Sequence, residues 1–337
     1  MTSIVLPATG AVLLVAVAYD LIRTVFDVGQ GGGPLTGRTS KALWWCVLAL
    51  RRWGFSHRTV ERFGIGVVLS VGVTWLVAMW IGWTFVLNGT VNALVETGTG
   101  RPASFWERAY FVVTSLFVLG PGEFQGGTTG WRFVVGGTAV TGLLVVTLSI
   151  TYLLPVIESA SQRRQLAAAI SSLGDTPQDI ILSVWNGSNV LELHDHLTTL
   201  LPSITAMGQS HLAYPVLHFF HSSTGRTAIA PAIAKLDEAL AIIRYGLEAT
   251  ERESSSFTAV RRAIGEFLPT LQIFKVGNEV PPTPQLDRLR HQGVPVREKE
   301  EFTDALEADN DRRRLLLATV QEDGWEWADV TGGDSER

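Results

Sequence analysis

The sequence predicts an all-α membrane protein: three transmembrane helices, a half-length helix that enters the bilayer and turns back, and a separate helical domain. Three observations carry this expectation. Residues 64–87 are 24 in a row without a charge and residues 133–157 are 25, each longer than the roughly 20 needed to cross a hydrocarbon core of about 30 Å. Between them Ser104 and Glu107 form a capping box that should start a short helix through Phe117. That helix should stop at Gly120-Pro121-Gly122, because proline has no amide to donate and glycines flank it. A half-length helix and an irregular loop between two full spans form a re-entrant hairpin, since irregular backbone at membrane depth persists only where protein or a water-filled cavity surrounds it.

Composition agrees. The 337 residues are 46% hydrophobic, with the apolar residues crowded into the first 157. The net charge of -5 lacks the basic face of a dedicated nucleic-acid binder, so no nucleic-acid partner is expected. The single cysteine, Cys46, excludes an intramolecular disulfide.

In chain order, residues 2–19 are 18 without a charge, ending at Asp20 and Arg23, and read as a first span. Ala16-Val17-Ala18 imitates a signal-peptidase site, but no basic segment precedes the apolar run, so the stretch reads as a retained anchor. From Arg23 to Arg62 there are seven cations against Asp27 and Glu61, whereas the loop after the second span offers Arg101 and Arg108. The positive-inside rule puts that basic stretch and the segment holding Gln162-Arg163-Arg164-Gln165 in the cytoplasm, and the N-terminus outside. The glycine-rich 29–37 reads as a flexible linker, since a phosphate loop would end in Gly-Lys-Ser/Thr. Residues 41–53, with Trp44-Trp45 and terminal cations, suit an interfacial helix. Trp75, Trp80 and Trp83 lie in the second span and read as membrane anchoring.

After Ile157 the pattern turns amphipathic, with helical spacing over 161–173, 178–185, 190–201, 227–249 and 256–273 and a break at Pro202. No strand leads into a Gly-x-Gly-x-x-Gly turn. His211, His218 and His221 would share a helical face, and His218 with His221 is a weak candidate for a metal pair at i, i+3 spacing. No cofactor is expected, and no nucleophile elbow or other enzymatic motif is present. Residues 281–337 carry 14 acidic and 8 basic side chains and few apolar ones, which predicts a partly disordered tail.

The order span, short helix, glycine-bearing loop, span resembles the pore module of the potassium-channel superfamily. In that family the loop reads Thr-Val-Gly-Tyr-Gly-Asp and its carbonyls coordinate the ion. Val118, Leu119, Gly120, Pro121, Gly122 and Glu123 match those positions, preceded by Thr114 and Ser115 in the pore helix. Val118 departs from the family's threonine and Pro121 from its tyrosine. The resemblance covers residues 64–157 and implies a homotetramer, because one hairpin supplies a quarter of a filter ring. It further implies a permeant monovalent cation, carbonyl ligands from 118–121, an outer acidic ring from Glu123 and a gating hinge at Gly142.

The fold class expected is therefore three transmembrane helices with a re-entrant pore helix and filter loop, plus a cytoplasmic helical domain. The divisions are 1–25 (first span), 26–62 (linker and interfacial helix), 63–158 (pore module), 159–276 (helical domain) and 277–337 (tail). The function expected is a tetrameric cation channel in the cell membrane with weak potassium preference. The alternative is a non-conducting, channel-like sensor or scaffold whose cytoplasmic domain binds a ligand.

Overall fold

The computed structural model describes residues 2–26, 33–39, 42–43, 57–120, 122–220, 222, 224–248, 255–271 and 276–332. The interfacial helix expected at 41–53 falls outside them except for 42–43, as do residues 29–32 of the glycine linker, Pro121 and His221; residues 34–37 of that linker are not a flexible connection but part of a short helix, 34–39.

Two compact units divide the chain, the first comprising Met1–Phe55, Arg62–Ile157 and Ala213–Phe219 and the second the rest. In the first unit the long helices are α1 (Thr2–Phe26), α2 (His57–Leu87) and the start of α4 (Thr129–Leu173), with the short α3 (Phe105–Leu116) between α2 and α4. Within them Ile4–Phe26, Gly66–Leu87 and Thr129–Leu173 are long and apolar enough to cross a membrane. A minimal antiparallel pair, β1 (Val95–Glu96) with β2 (Phe124–Gln125), ties the chain before α3 to the chain after it. The sequence carries no alternation that would have announced it.

Small residues set the crossing of α1 and α2. A Cβ on Gly10 would fall 2.5 Å from the Gly82 carbonyl oxygen, so the two backbones touch with no room for a side chain. The tryptophans of α2 do more than mark a membrane boundary. Each indole nitrogen donates to a different neighbour: Trp75 to Asp20 Oδ2 at 2.8 Å, Trp80 to the Ala109 carbonyl at 2.9 Å and Trp83 to Thr141 Oγ1 at 2.9 Å. A bonded N–H inside the bundle replaces the headgroup water that an interfacial tryptophan would use.

In the second unit, α5 (Pro177–Val184), α6 (Leu193–Ala213), α7 (Ile229–Ala241) and α8 (Ser255–Leu271) match the helical periodicity. Pro202 does not break α6; Leu197, Leu200, Ile204 and Met207 on its buried side outweigh the roughly 3 kcal/mol that an interior proline costs. Every residue of α7 is buried, as for a helix surrounded by others.

The tail expected to be partly disordered instead packs, over residues 276–332, into this core. Short helices α9 (Asp287–His291) and α10 (Lys299–Leu306) lead to α11 (Asn310–Glu322) and α12 (Ala328–Thr331). Leu316, Val320, Trp327 and Val330 bury in the same cluster as Ile233 and Phe267. The acidic composition misleads because its cations are spent internally. Arg313 chelates Glu238 at 2.8 and 3.2 Å and also donates to the Pro282 carbonyl. Arg312 does the same to Asp237 at 2.7 and 2.5 Å. Arg261 pairs with Asp309, and although burial opposes its charge, Asp237 and Asp309 hold the guanidinium above its usual range. Burial pushes Glu238 up while Arg313 pulls against it.

Candidate functional site: the α3 helix and the loop after it

The capping box forms as the sequence requires. Glu107 N–H donates to Ser104 Oγ at 3.4 Å and Ser104 N–H to Glu107 Oε2 at 2.7 Å. Arg101 adds two hydrogen bonds to the Glu107 carboxylate, and these, with the Ser104 bonds, hold Glu107 at about 2.

Arg108 fixes the start of α3 against α2. Its buried guanidinium donates to the carbonyls of Ala103 (2.9 Å), Leu87 (2.7 Å) and Val91 (2.9 Å). Leu87 ends α2, where carbonyls lack intrahelical partners and the helix dipole favours a cation. Arg108, taken in the sequence only as one of two cations in a loop, is thus the clamp between two helices.

The other end of α3 departs from expectation. The helix does not simply run out at the glycines. Val118 N–H donates to the Ser115 carbonyl and Leu119 N–H to the Thr114 carbonyl, each at 2.9 Å. This pair of bonds is a Schellman termination, and its left-handed residue is Val118 at φ +57° rather than a glycine. A β-branched residue in that conformation is a genuine outlier costing on the order of 1–2 kcal/mol. Gly120 follows at φ +62°, where glycine bears no penalty.

The consequence is a turn with carbonyls to spare. Among the described residues, no hydrogen bond reaches the carbonyls of Val118, Leu119 or Gly120. Val118 and Leu119 are 59% and 73% exposed in the single chain. The carbonyls of Gly122 and Glu123 are taken, by Thr97 Oγ1 at 3.0 Å and Thr97 N–H at 2.8 Å, while the Glu123 residue itself is exposed. The hydroxyl of Thr114 bonds back to the Tyr110 and Phe111 carbonyls at 3.0 Å each, and Ser115 is buried. The Thr114 hydroxyl is therefore committed to its own helix.

Gly142 sits against this turn. A Cβ there would fall 2.2 Å from the Leu116 carbonyl oxygen and 2.6 Å from Leu116 Cα, so the glycine is the floor on which the last turn of α3 rests. Asp20, seen in the sequence only as the end of the first span, is fully buried. It accepts from Leu35 N–H (2.6 Å), Thr36 N–H (3.2 Å), Thr36 Oγ1 (2.6 Å) and Trp75 Nε1. It therefore caps the start of the short helix at 34–39 from a neighbouring element.

Of the histidine face expected in the helical domain, His221 lies outside the described residues, and His211 and His218 do not share a helix. α6 ends at Ala213 and His218 lies in a separate 3-10 turn, Pro215–Phe219, because Pro215 cannot continue the ladder. Among the described residues no three His, Cys, Asp or Glu side chains gather to hold a metal.

Against known proteins, the chain is 30% identical over 322 residues to the uncharacterized membrane protein YdjJ of Bacillus subtilis strain 168, covering 94% of each chain. The chain belongs to the YdjJ family. No family model matches it and no solved structure matches it. With three apolar helices of spanning length and a relative described as a membrane protein, this member of the YdjJ family is a membrane protein. A match over 94% of the chain takes in both units, so the likeness is not confined to the spans.

Proposed function

We propose that this chain is the subunit of a homotetrameric, cation-conducting channel resembling potassium channels, with α3 and the loop 117–123 as its re-entrant pore element and the second unit in the cytoplasm. One observation carries the proposal: a half-length helix between two spanning helices ends in a turn whose Val118, Leu119 and Gly120 carbonyls have no partner in the described chain. Those carbonyls extend the negative end of the helix dipole, which favours a cation. In this reading Val118, Leu119, Gly120 and Pro121 supply carbonyl ligands, and exposed Glu123 concentrates cations at the mouth. The exposed apolar residues Trp106, Tyr110, Val113 and Phe117 recur at helical spacing along α3 and offer neighbouring subunits a surface. The excess of Arg and Lys over 23–62 supports an external N-terminus and a cytoplasmic C-terminus.

Val118 presents methyl groups where a threonine would give a hydroxyl, and Pro121 cannot make a tyrosine's hydrogen bonds, so the potassium preference is weak. Flux of potassium, sodium and chloride through purified full-length protein in liposomes tests this. Cation flux with less than about tenfold preference for potassium over sodium, equivalent to about 1.4 kcal/mol, is expected, as is a sharper preference in Val118→Thr/Pro121→Tyr. No flux, strong native potassium selectivity or anion preference would overturn it.

A further inference from the structure

Three charged side chains lie in α7, a helix buried along its whole length, and they are treated differently. Asp237 and Glu238 have Arg312 and Arg313 as partners. Lys235 has none: it is 6% exposed, and among the described residues its amine makes no hydrogen bond and no ion pair. Charges nonetheless surround it. Asp175 in the bend before α5, Asp179 in α5, Asp329 in α12 and Arg226 in the Gly225–Thr227 turn all act on it electrostatically without touching it. Two of these carboxylates are engaged elsewhere, Asp179 with Arg288 at 2.6 Å and Asp329 with the Glu326 N–H at 2.9 Å. Asp175 and Arg226, both exposed, make no hydrogen bond or ion pair among the described residues. Separate elements of the second unit thus gather a buried amine, a carboxylate and a guanidinium, none of them satisfied by another.

We propose that Lys235 is a nucleophilic amine that takes up a small 2-oxo acid as a protonated imine, with Arg226 receiving the ligand's carboxylate. An ordinary lysine, with a pKa of about 10.4, is almost wholly ammonium at neutral pH and does not attack a carbonyl. Burial pushes Lys235 below its usual range, with Asp175 and Asp329 pulling the other way, and so enlarges the neutral, nucleophilic fraction. The nitrogen lone pair bonds to the carbonyl carbon while the C=O π pair takes up a proton. The carbinolamine then passes a proton from nitrogen to oxygen and loses water as the C=N bond forms. Amine, carbonyl and one proton become iminium and water, and nothing is oxidised or reduced. The iminium is positive, so the carboxylates of Asp175 and Asp329 favour it. A carbamate formed from carbon dioxide would instead add a negative charge among three carboxylates. An unpaired guanidinium suits a ligand carboxylate, and the little surface that Lys235 leaves open restricts the ligand to a few heavy atoms.

The test uses the full-length protein in mild detergent near neutral pH. Glyoxylate is the probe, acetaldehyde is the aldehyde without a carboxylate, and cyanoborohydride reduces any imine to a stable secondary amine. Peptide mass spectrometry reads the labelling of Lys235 against that of Lys299, an exposed lysine that serves as the internal reference. Glyoxylate should label Lys235 about tenfold faster than Lys299, and the ratio should be several-fold lower with acetaldehyde. Arg226→Gln should bring the glyoxylate ratio down to the acetaldehyde value with the thermal transition kept, because Arg226 is exposed and holds no partner among the described residues. Labelling of Lys235 no faster than that of Lys299, a ratio equal for the two aldehydes, or a glyoxylate ratio unchanged in Arg226→Gln would overturn the proposal.

Discussion

Gly142 separates two ideas about α4, and Gly142→Ala gives them opposite signs. A flexible hinge would be stiffened by alanine, which is better in a helix by about 1 kcal/mol. The contact seen here predicts the reverse. The new Cβ would lie 2.2 Å from the Leu116 carbonyl oxygen, against about 3.3 Å for a close C···O approach, so α4 and the end of α3 must separate by about 1 Å. Overpacking of that kind costs about 1–3 kcal/mol, leaving a net loss of up to about 2 kcal/mol after the helical gain. At about 2–4 °C per kcal/mol for a unit of this size, the midpoint should fall by several degrees. Gly136 is the control, because it lies in the same helix with nothing within 4 Å of its would-be Cβ; Gly136→Ala should hold or raise the midpoint. Thermal unfolding of the two full-length variants in detergent, followed by tryptophan fluorescence, gives the comparison. If Gly142→Ala is as stable as Gly136→Ala, the close approach of α4 to Leu116 is wrong and a hinge explains Gly142 better.

Other expectations follow from the polar groups inside each unit. Asp20→Asn turns two acceptors into an acceptor and a donor facing N–H and O–H groups; each donor left without a partner costs about 1–3 kcal/mol, and faster tryptic cleavage after Arg38 would report release of the 34–39 helix. Arg313→Met alone strands the Glu238 carboxylate and should cost about 3–5 kcal/mol, whereas Glu238→Leu/Arg313→Met should recover most of that; denaturant unfolding of the three proteins checks it, and additive losses would contradict the pairing. Glu107 titrates near 2, below its ordinary 4.5, so its support of the α3 cap is complete above about pH 4.5 and is lost as pH falls through about 2. Carboxyl NMR should find that midpoint low in the native protein and moved up towards 4.5 in Arg101→Gln.

What could be read from the sequence was whatever local chemistry decides. The uncharged runs gave the spans, and Ser104 with Glu107 gave the start of α3, because both signals act within a few residues. The end of α3 was not readable in the same way. Val118 holds a backbone conformation that favours glycine, and only the two bonds to Ser115 and Thr114 reveal it. The packing of the tail was hidden because the carboxylates that pair with Arg312 and Arg313 lie 75 residues earlier, in a helix whose own burial was not apparent. Asp20 and Trp75, 55 residues apart, were each given ordinary local roles, the end of a span and an anchor. In every case the missing information was the partner.

The donors gathered around Asp20 also carry a timetable. A carboxylate within an apolar helix opposes entry into lipid, by up to about 2.5–3.5 kcal/mol at mid-bilayer and less towards the ends. Three of the donors that offset this belong to Leu35 and Thr36 and emerge from the ribosome shortly after α1 itself; the fourth, the Trp75 indole, arrives only with α2. Membrane insertion of α1 thus matures in two stages. The first is secured by its own downstream loop, and the second locks when α2 is delivered alongside it, so that a nascent chain halted before Trp75 holds α1 less firmly than the finished protein does.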